Sequence, residues 1–329
     1  MSNKCVSIIT PCYNGEEFAE RFFENILEQT YKNIELIFVN DGSTDRTEEI
    51  AESYINRFEQ EGMKLIYIYQ DNAGQAAAVN KGLEIFTGEY LMWTDSDDIL
   101  DKDNVEKKVK FLEENPEYGF AMCRGRVVIE DNLDIKVDEL KRIPPASEDT
   151  FFRDMILEKN VVFTPGVYMA RTEAVLKAIP SRHIYESRVG QNWQMLLPLS
   201  YYFKCGYMKE ELFSYVIRSD SHSRQEKSLE QVLDKLRQHN DTLTVILNEM
   251  GLSDSEYAKM LKDKLIRKEF DNAYHYKNRV LLEEKYSELK QLGKASKRDT
   301  LIYWAGKNKL IDVLYSIFKS AKRWYRSKK

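Results

Sequence analysis

The sequence predicts an α/β fold, a mostly parallel sheet flanked by helices, followed by a helical C-terminal region. Three observations carry that expectation. Over roughly the first hundred residues, short apolar runs alternate with longer amphipathic stretches, the pattern of buried parallel strands in βαβ units. The strand candidates are rich in β-branched residues (Val6, Ile8, Ile9, Ile34, Ile37, Val39), which suit a pleated, buried surface. Beyond about residue 225 strand-like runs stop, and apolar residues recur at helical spacing, as at Leu229, Val232 and Leu236, which reads as helix.

Taken in order, residues 6–9 read as a first strand and 16–29 as the helix after it. Residues 34–39 form a second strand, 45–61 a long helix, 65–69 a third strand, and the Ala-rich stretch 75–86 a third helix. Residues 90–93 form the fourth strand. From 104 to about 140 a helix and further strands continue the domain; 151–158 and 171–179 read as helices, and 191–202 as an apolar helix interrupted at Pro198. A strand over 213–217 precedes the change to helical pattern. The expected domains are therefore 1–225, a helical accessory region 226–298, and an amphipathic helix 299–329.

Composition narrows the class. The chain has 329 residues, 43% of them hydrophobic, enough to bury a sizeable core. A net charge of −5 lacks the basic footprint of a nucleic-acid binder. The charge is uneven: residues 300–329 carry +7 and the remainder −12, an acidic body with a basic tail that suggests a surface contact at the chain end. The four cysteines (Cys5, Cys12, Cys123, Cys205) include no CxxC pair, which argues against a disulfide framework or zinc knuckle and for a reducing compartment. The N-terminus enters directly into an apolar strand, without the features of a signal peptide, and no apolar stretch approaches the roughly 20 residues that span a bilayer. A cytoplasmic protein is expected, at most peripheral on the cytoplasmic face of the plasma membrane.

Open parallel sheets bind ligands at the carboxyl ends of their strands. Polar, turn-forming clusters fall at four successive predicted strand ends: Pro11-Cys12-Tyr13-Asn14, Asn40-Asp41-Gly42-Ser43, Gln70-Asp71-Asn72 and Asp95-Ser96-Asp97-Asp98. Carboxylates crowded on one turn repel unless a cation compensates. Hard oxygen ligands suit Mg²⁺ or Mn²⁺ held by one or two carboxylates plus substrate phosphates. The plainer alternative is that Asp98 or Asp101 caps the helix expected from about Lys102. No GxGxxG follows the first strand, which sets aside a dinucleotide-dependent oxidoreductase. Nor does a Gly-rich basic loop follow it, which sets aside a sugar nucleotidyltransferase.

On residues 7–14, 39–45, Asn72-Ala73-Gly74 with Asn80-Lys81-Gly82, and 90–98, the chain closely resembles the inverting glycosyltransferases of family two. These have the GT-A (Rossmann-like) fold, and the resemblance is to the type that builds bacterial cell-surface polysaccharide. It covers about the first hundred residues strongly and weakens towards residue 225. It implies a nucleotide-sugar donor, usually a UDP-sugar, a glycan or lipid-linked acceptor, and Mn²⁺ or Mg²⁺ as cofactor. Pro11 and Tyr13 would line the base, with Tyr13 available to stack. Asp41 would accept a hydrogen bond from the base, Asp95 would lie near the ribose with Ser96 beside it, and Asp97 would ligate the metal. Asn72, Gly74 and Asn80 read equally as donor contacts or as a loop and helix cap.

The family's catalytic base is usually an Asp following a Glu, just before a helix carrying aromatic residues. The equivalent segment here, Gly190-Gln191-Asn192-Trp193-Gln194, has amides in place of both acids, and an amide cannot take the proton. Either Glu186 supplies the carboxylate, or Gln191 and Asn192 orient the acceptor while the base stands elsewhere, or the protein is a catalytically degenerate, donor-binding partner subunit. Downstream, Arg218 and Arg224 flank His222 in a Ser-rich loop, and the resemblance implies that this loop closes over the donor. His222 is the candidate metal ligand there, and the two arginines are candidate phosphate partners. In the tail, an apolar stripe from Leu301 to Tyr325 runs beside Lys319, Lys322, Arg323, Arg326, Lys328 and Lys329. It reads either as a helix lying on an anionic membrane interface or as a helix packed on the domain.

Overall fold

The computed structural model describes residues 3–144, 150–218 and 228–327, with the backbone alone for 319–327. Two compact units divide it, Met1–Arg224 and Gln225–Lys329.

In the first unit the chain alternates as the apolar runs predict: β1 (Val6–Cys12), α1 (Ala19–Leu27), β2 (Ile34–Asp41), α2 (Thr47–Gln60), β3 (Lys64–Gln70), α3 (Gln75–Ile85) and β4 (Tyr90–Trp93). These four strands pair in parallel in the order β3-β2-β1-β4, with Val6 opposite both Ile34 and Tyr90. Every residue of β2 is buried, which explains the apolar run Leu36-Ile37-Phe38-Val39. Phe22, Phe23 and Ile26 of α1 are buried, and the Phe23 ring lies 4.8 Å from Phe38 and 4.9 Å from Tyr54. Within β2, Glu35 is only 3% exposed. It accepts from Ser7 Oγ at 2.8 Å and from Thr87 N at 3.0 Å, and pairs with Lys64 at 3.4 Å, the partners a buried carboxylate needs.

Past β4 the sheet becomes mixed. The elements are β5 (Ile99–Leu100), α4 (Asn104–Glu114), β6 (Tyr118–Ile129), β7 (Asn132–Leu140), α5 (Phe151–Leu157), β8 (Tyr168–Arg171), α6 (Thr172–Ala178), α7 (Gln191–Tyr202) and β9 (Lys204–Ile217). β8 inserts antiparallel between β4 and β6, β9 runs parallel to β6, and β5 and β7 pair antiparallel to β9 and β6. Two expectations need correction. α7 continues through Pro198, because full burial of Leu196, Leu197 and Leu199 outweighs the one backbone bond a proline removes. Neither Asp98 nor Asp101 caps the next helix. α4 begins at Asn104 after Asp103, while Asp98 accepts from Val216 N at 3.0 Å and Asp101 pairs with Arg126 at 2.6 Å.

The second unit is helical: α8 (Leu229–Glu249), α9 (Glu256–His275), α10 (Arg279–Gln291), α11 (Lys297–Lys307) and α12 (Lys309–Ser327). Ser228, Ser255, Asn278 and Ser296 cap four of these helices through their side chains, satisfying orphan amides at each start. Ile266, Phe270, Leu282, Leu289 and Ile302 form its core. Leu310, Val313, Leu314, Ile317 and Phe318 of α12 stay exposed. Among the described residues, no helix is long and apolar enough to cross a membrane.

The close approach of α3 to β1 depends on Gly82. A Cβ there would lie 2.5 Å from Ile9 Cγ2, inside van der Waals contact. Gly82→Ala should therefore destabilise the domain by about 1–3 kcal/mol, the usual range for overpacking a well-filled core. Urea unfolding checks this, and an unchanged midpoint would contradict the packing.

Candidate functional site

The parallel register of β1 to β4 brings four loops to one edge, where they surround a cleft of about 670 Å³. Its walls come from residues of every strand end: Pro11 and Tyr13 after β1, Asp41 from β2, Asn72 after β3, and Asp95, Ser96 and Asp97 after β4. Tyr13 is half exposed at 52%, leaving an aromatic face open to a planar ligand. Burial pushes the Cys12 thiol up to about 12, so the sulfur in the cleft wall is a neutral group, not a nucleophile.

The first two loops are tied together by reciprocal bonds. Asn14 N donates to Ser43 Oγ (2.9 Å) and Thr44 N to Asn14 Oδ1 (2.9 Å); Gly15 N donates to Thr47 Oγ1 (2.7 Å) and Glu16 N to Asp45 Oδ2 (3.0 Å). Ser43, Thr44 and Asp45 thus hold the loops rather than line the cleft. Asp41, 4% exposed, gathers the third loop. Its Oδ1 accepts from Gln70 Nε2 (2.7 Å) and Ala73 N (2.9 Å), its Oδ2 from Gly74 N (2.9 Å), and its backbone carbonyl from Asn72 Nδ2 (3.0 Å). Asn80 faces another way, pinning Ile184 through both its N and its O (2.8 and 2.9 Å).

The acidic turn after β4 concentrates negative charge. Burial, then the neighbouring Asp97 charge, push the Asp95 carboxyl up to about 7, against the stabilising Gln75 amide that donates to Asp95 Oδ1 at 2.5 Å. Burial, then the Asp95 and Asp97 charges, raise Asp98 well above the carboxylate range, and its Oδ2 is buried without a hydrogen-bond partner. Asp97 lines the cleft, with Arg218 Nη1 4.0 Å from its Oδ2. A divalent cation fits this turn, since hard oxygens crowd it and a positive charge relieves their repulsion. Among the described residues no group of three or more His, Cys, Asp or Glu gathers as a metal cage; a site completed by substrate phosphates does not require one.

Two guanidinium groups balance the carboxylates. Arg218 sits 4.8 Å over the Phe18 ring, and the Arg188 stem passes over Gly74; both line the cleft. The other candidates lie apart from its lining. Glu186 is exposed, 3.5 Å from His183 Nε2. Gln191 Nε2 donates to Gln75 Oε1, and Asn192 Oδ1 accepts from Trp93 Nε1 at 3.0 Å. His222 and Arg224 lie outside the described residues. Gln75 and the cleft-facing place of Arg188 carry no local mark in the sequence; Gln75 is simply the first residue of the helix that follows Gly74.

Residues 7–179 match the family described as "Glycosyl transferase family 2". An uncharacterized glycosyltransferase of Rickettsia typhi is 43% identical over 107 residues, 32% of this chain and 31% of the relative. Glycosyltransferase GlyA of Streptococcus pneumoniae is 41% identical over 109 residues, 33% of this chain and 15% of the relative. The chain thus matches about a third or less of the length of these curated relatives. Staphylococcus aureus TarS 1–349, solved in complex with UDP-GlcNAc, superposes with a TM-score of 0.57 at 18% identity, covering 97% of this chain and 92% of that one. A mannosyltransferase of Pyrobaculum calidifontis, solved with GDP-Man and Mn²⁺, gives 0.51 at 15% identity, covering 97% and 88%. At these identities the two likenesses establish the fold.

Proposed function

The chain belongs to glycosyl transferase family 2, and from that premise we propose that it moves a sugar, with inversion, from a UDP-sugar to a hydroxyl of a glycan or lipid-linked acceptor. The observation that carries this reading is the convergence of Pro11, Tyr13, Asp41, Asp95, Asp97 and Arg218 on one cleft. In it, Tyr13 stacks on the base, and Asp41, oriented by its three amide donors, accepts from a base N–H. Asp95 and Ser96 meet the ribose, Asn72 borders the base, and Arg218 pairs with the diphosphate. Mn²⁺ or Mg²⁺, held by Asp97, would supply Lewis-acid stabilisation of the leaving diphosphate.

Removal of the acceptor proton falls to Glu186, the carboxylate on the segment that also carries Arg188. Gln191 and Asn192, as amides, orient. Those amides also favour a second reading, a donor-binding partner subunit that does not transfer; tight UDP binding with no turnover would decide for it.

A peripheral membrane contact through α12 belongs to the same proposal. Its exposed Leu310, Leu314, Ile317 and Phe318, followed by a Lys/Arg-rich sequence, suit an anionic bilayer surface.

Asp97→Ala should abolish metal-dependent UDP binding while leaving the fold intact; an unchanged calorimetric affinity in Mn²⁺ refutes the donor site. Glu186→Gln should lower kcat about 10²–10⁴-fold, the usual worth of a general base, and turnover at the wild-type rate removes Glu186 from the reaction. The full chain should cosediment with phosphatidylserine vesicles, less so as salt is added. A chain ending at residue 308 that binds them equally well rules out α12 as the contact.

A further inference from the structure

Two Gly-Gln pairs open helices beside the cleft. Gly74 precedes Gln75 at the start of α3 and Gly190 precedes Gln191 at the start of α7, with φ of 95° and 76° at the glycines. The two glutamines are linked side chain to side chain: Gln191 Nε2 donates to Gln75 Oε1, and Gln75 Nε2 donates to Asp95 Oδ1 at 2.5 Å. One residue along, Trp93 Nε1 donates to Asn192 Oδ1 at 3.0 Å. Trp93 ends β4 and Asp95 follows two residues later, so the first turn of α7 is fastened twice to the segment bearing the acidic turn.

The bonds themselves set the polarity of this chain. Gln75 gives its NH₂ to Asp95 Oδ1, which leaves its carbonyl facing away, towards Gln191. That carbonyl can be met only by a donor, so residue 191 must bring an NH₂. A glutamate at 191 would set two acceptors face to face, whereas an aspartate at 192 would still accept from the Trp93 indole, which only donates. The amide at 191 is therefore required by Gln75, and the amide at 192 is not required by Trp93.

We propose that Gln75 and Gln191 are positioning residues, an amide relay that holds Asp95 for the donor and sets the first turn of α7 from the same point. The relay rests on the donor reading above. It predicts that residue 191, although outside the cleft lining, controls nucleotide affinity through Gln75. It also predicts that installing the acid usual in the family harms donor binding.

The test is calorimetric titration of UDP in Mn²⁺ into the full chain and its variants, with melting temperatures alongside. Gln191→Glu should weaken UDP binding about tenfold, the worth of one hydrogen bond to a charged group, and Gln191→Leu should weaken it less. Asn192→Asp should change it by about twofold or less. In a Gln75→Leu background the Gln191→Glu effect should fall to about twofold or less, the non-additivity of coupled neighbours. A merely structural role would lower the melting temperature without this dependence on Gln75. Wild-type affinity in Gln191→Glu, or an undiminished effect in the absence of Gln75, overturns the relay and leaves the donor site standing. Failure of the wild-type chain to bind UDP, GDP, CDP or dTDP in Mn²⁺ overturns the donor reading and the relay with it.

Discussion

The parallel register of β3-β2-β1-β4 is the constraint on which the rest of the first unit depends. With Val6 level with both Ile34 and Tyr90, the strands must finish at one edge, and their turns have nowhere to go but around a common space. The cleft is thus a by-product of strand pairing, and the pairing in turn rests on apolar runs that only a doubly covered sheet can bury. What the chain adds is a set of short polar side chains that stop the turns from filling the space with their own backbone. Asp41 is the clearest case, since its carboxylate holds the amides of Ala73 and Gly74 and fixes the third loop as part of the cleft wall.

This half of the molecule was readable because its signals are local. A buried strand shows itself as an apolar run, a strand end as a polar turn, and β4 begins and ends where the run Tyr90-Leu91-Met92-Trp93 does. The mixed half was less readable because pairings such as β8 between β4 and β6, or β5 on β9, join residues far apart in sequence and leave no local mark. The same limit applied to side chains. Asp98 and Asp101 look like helix caps in sequence, yet their partners, Val216 and Arg126, come from distant strands. Gln75 went unread because a glutamine at a helix start carries no chemical signature until its neighbours across the fold are known.

Charge at the cleft is arranged as an imbalance that a ligand corrects. Burial and mutual repulsion raise Asp95 and Asp98, while Arg188 and Arg218 stand at the same rim. A lone anion would meet the carboxylates and a lone cation the arginines. A diphosphate bound together with a divalent cation satisfies both sets, because it presents both signs at once. The proposed donor site rests on that match of charges, and the amide chain ties Asp95 to the first turn of α7 through Gln75 and Gln191.

The interlocked turns after β1 and β2 bear on how this site could be redesigned. Asn14 both donates to and accepts from the neighbouring turn, and Gly15 and Glu16 add two more bonds. One inserted residue in either turn would throw all of these partners out of step. Neither loop is an independent module, so grafting a loop of different specificity here would require exchanging both turns together, as a matched cassette.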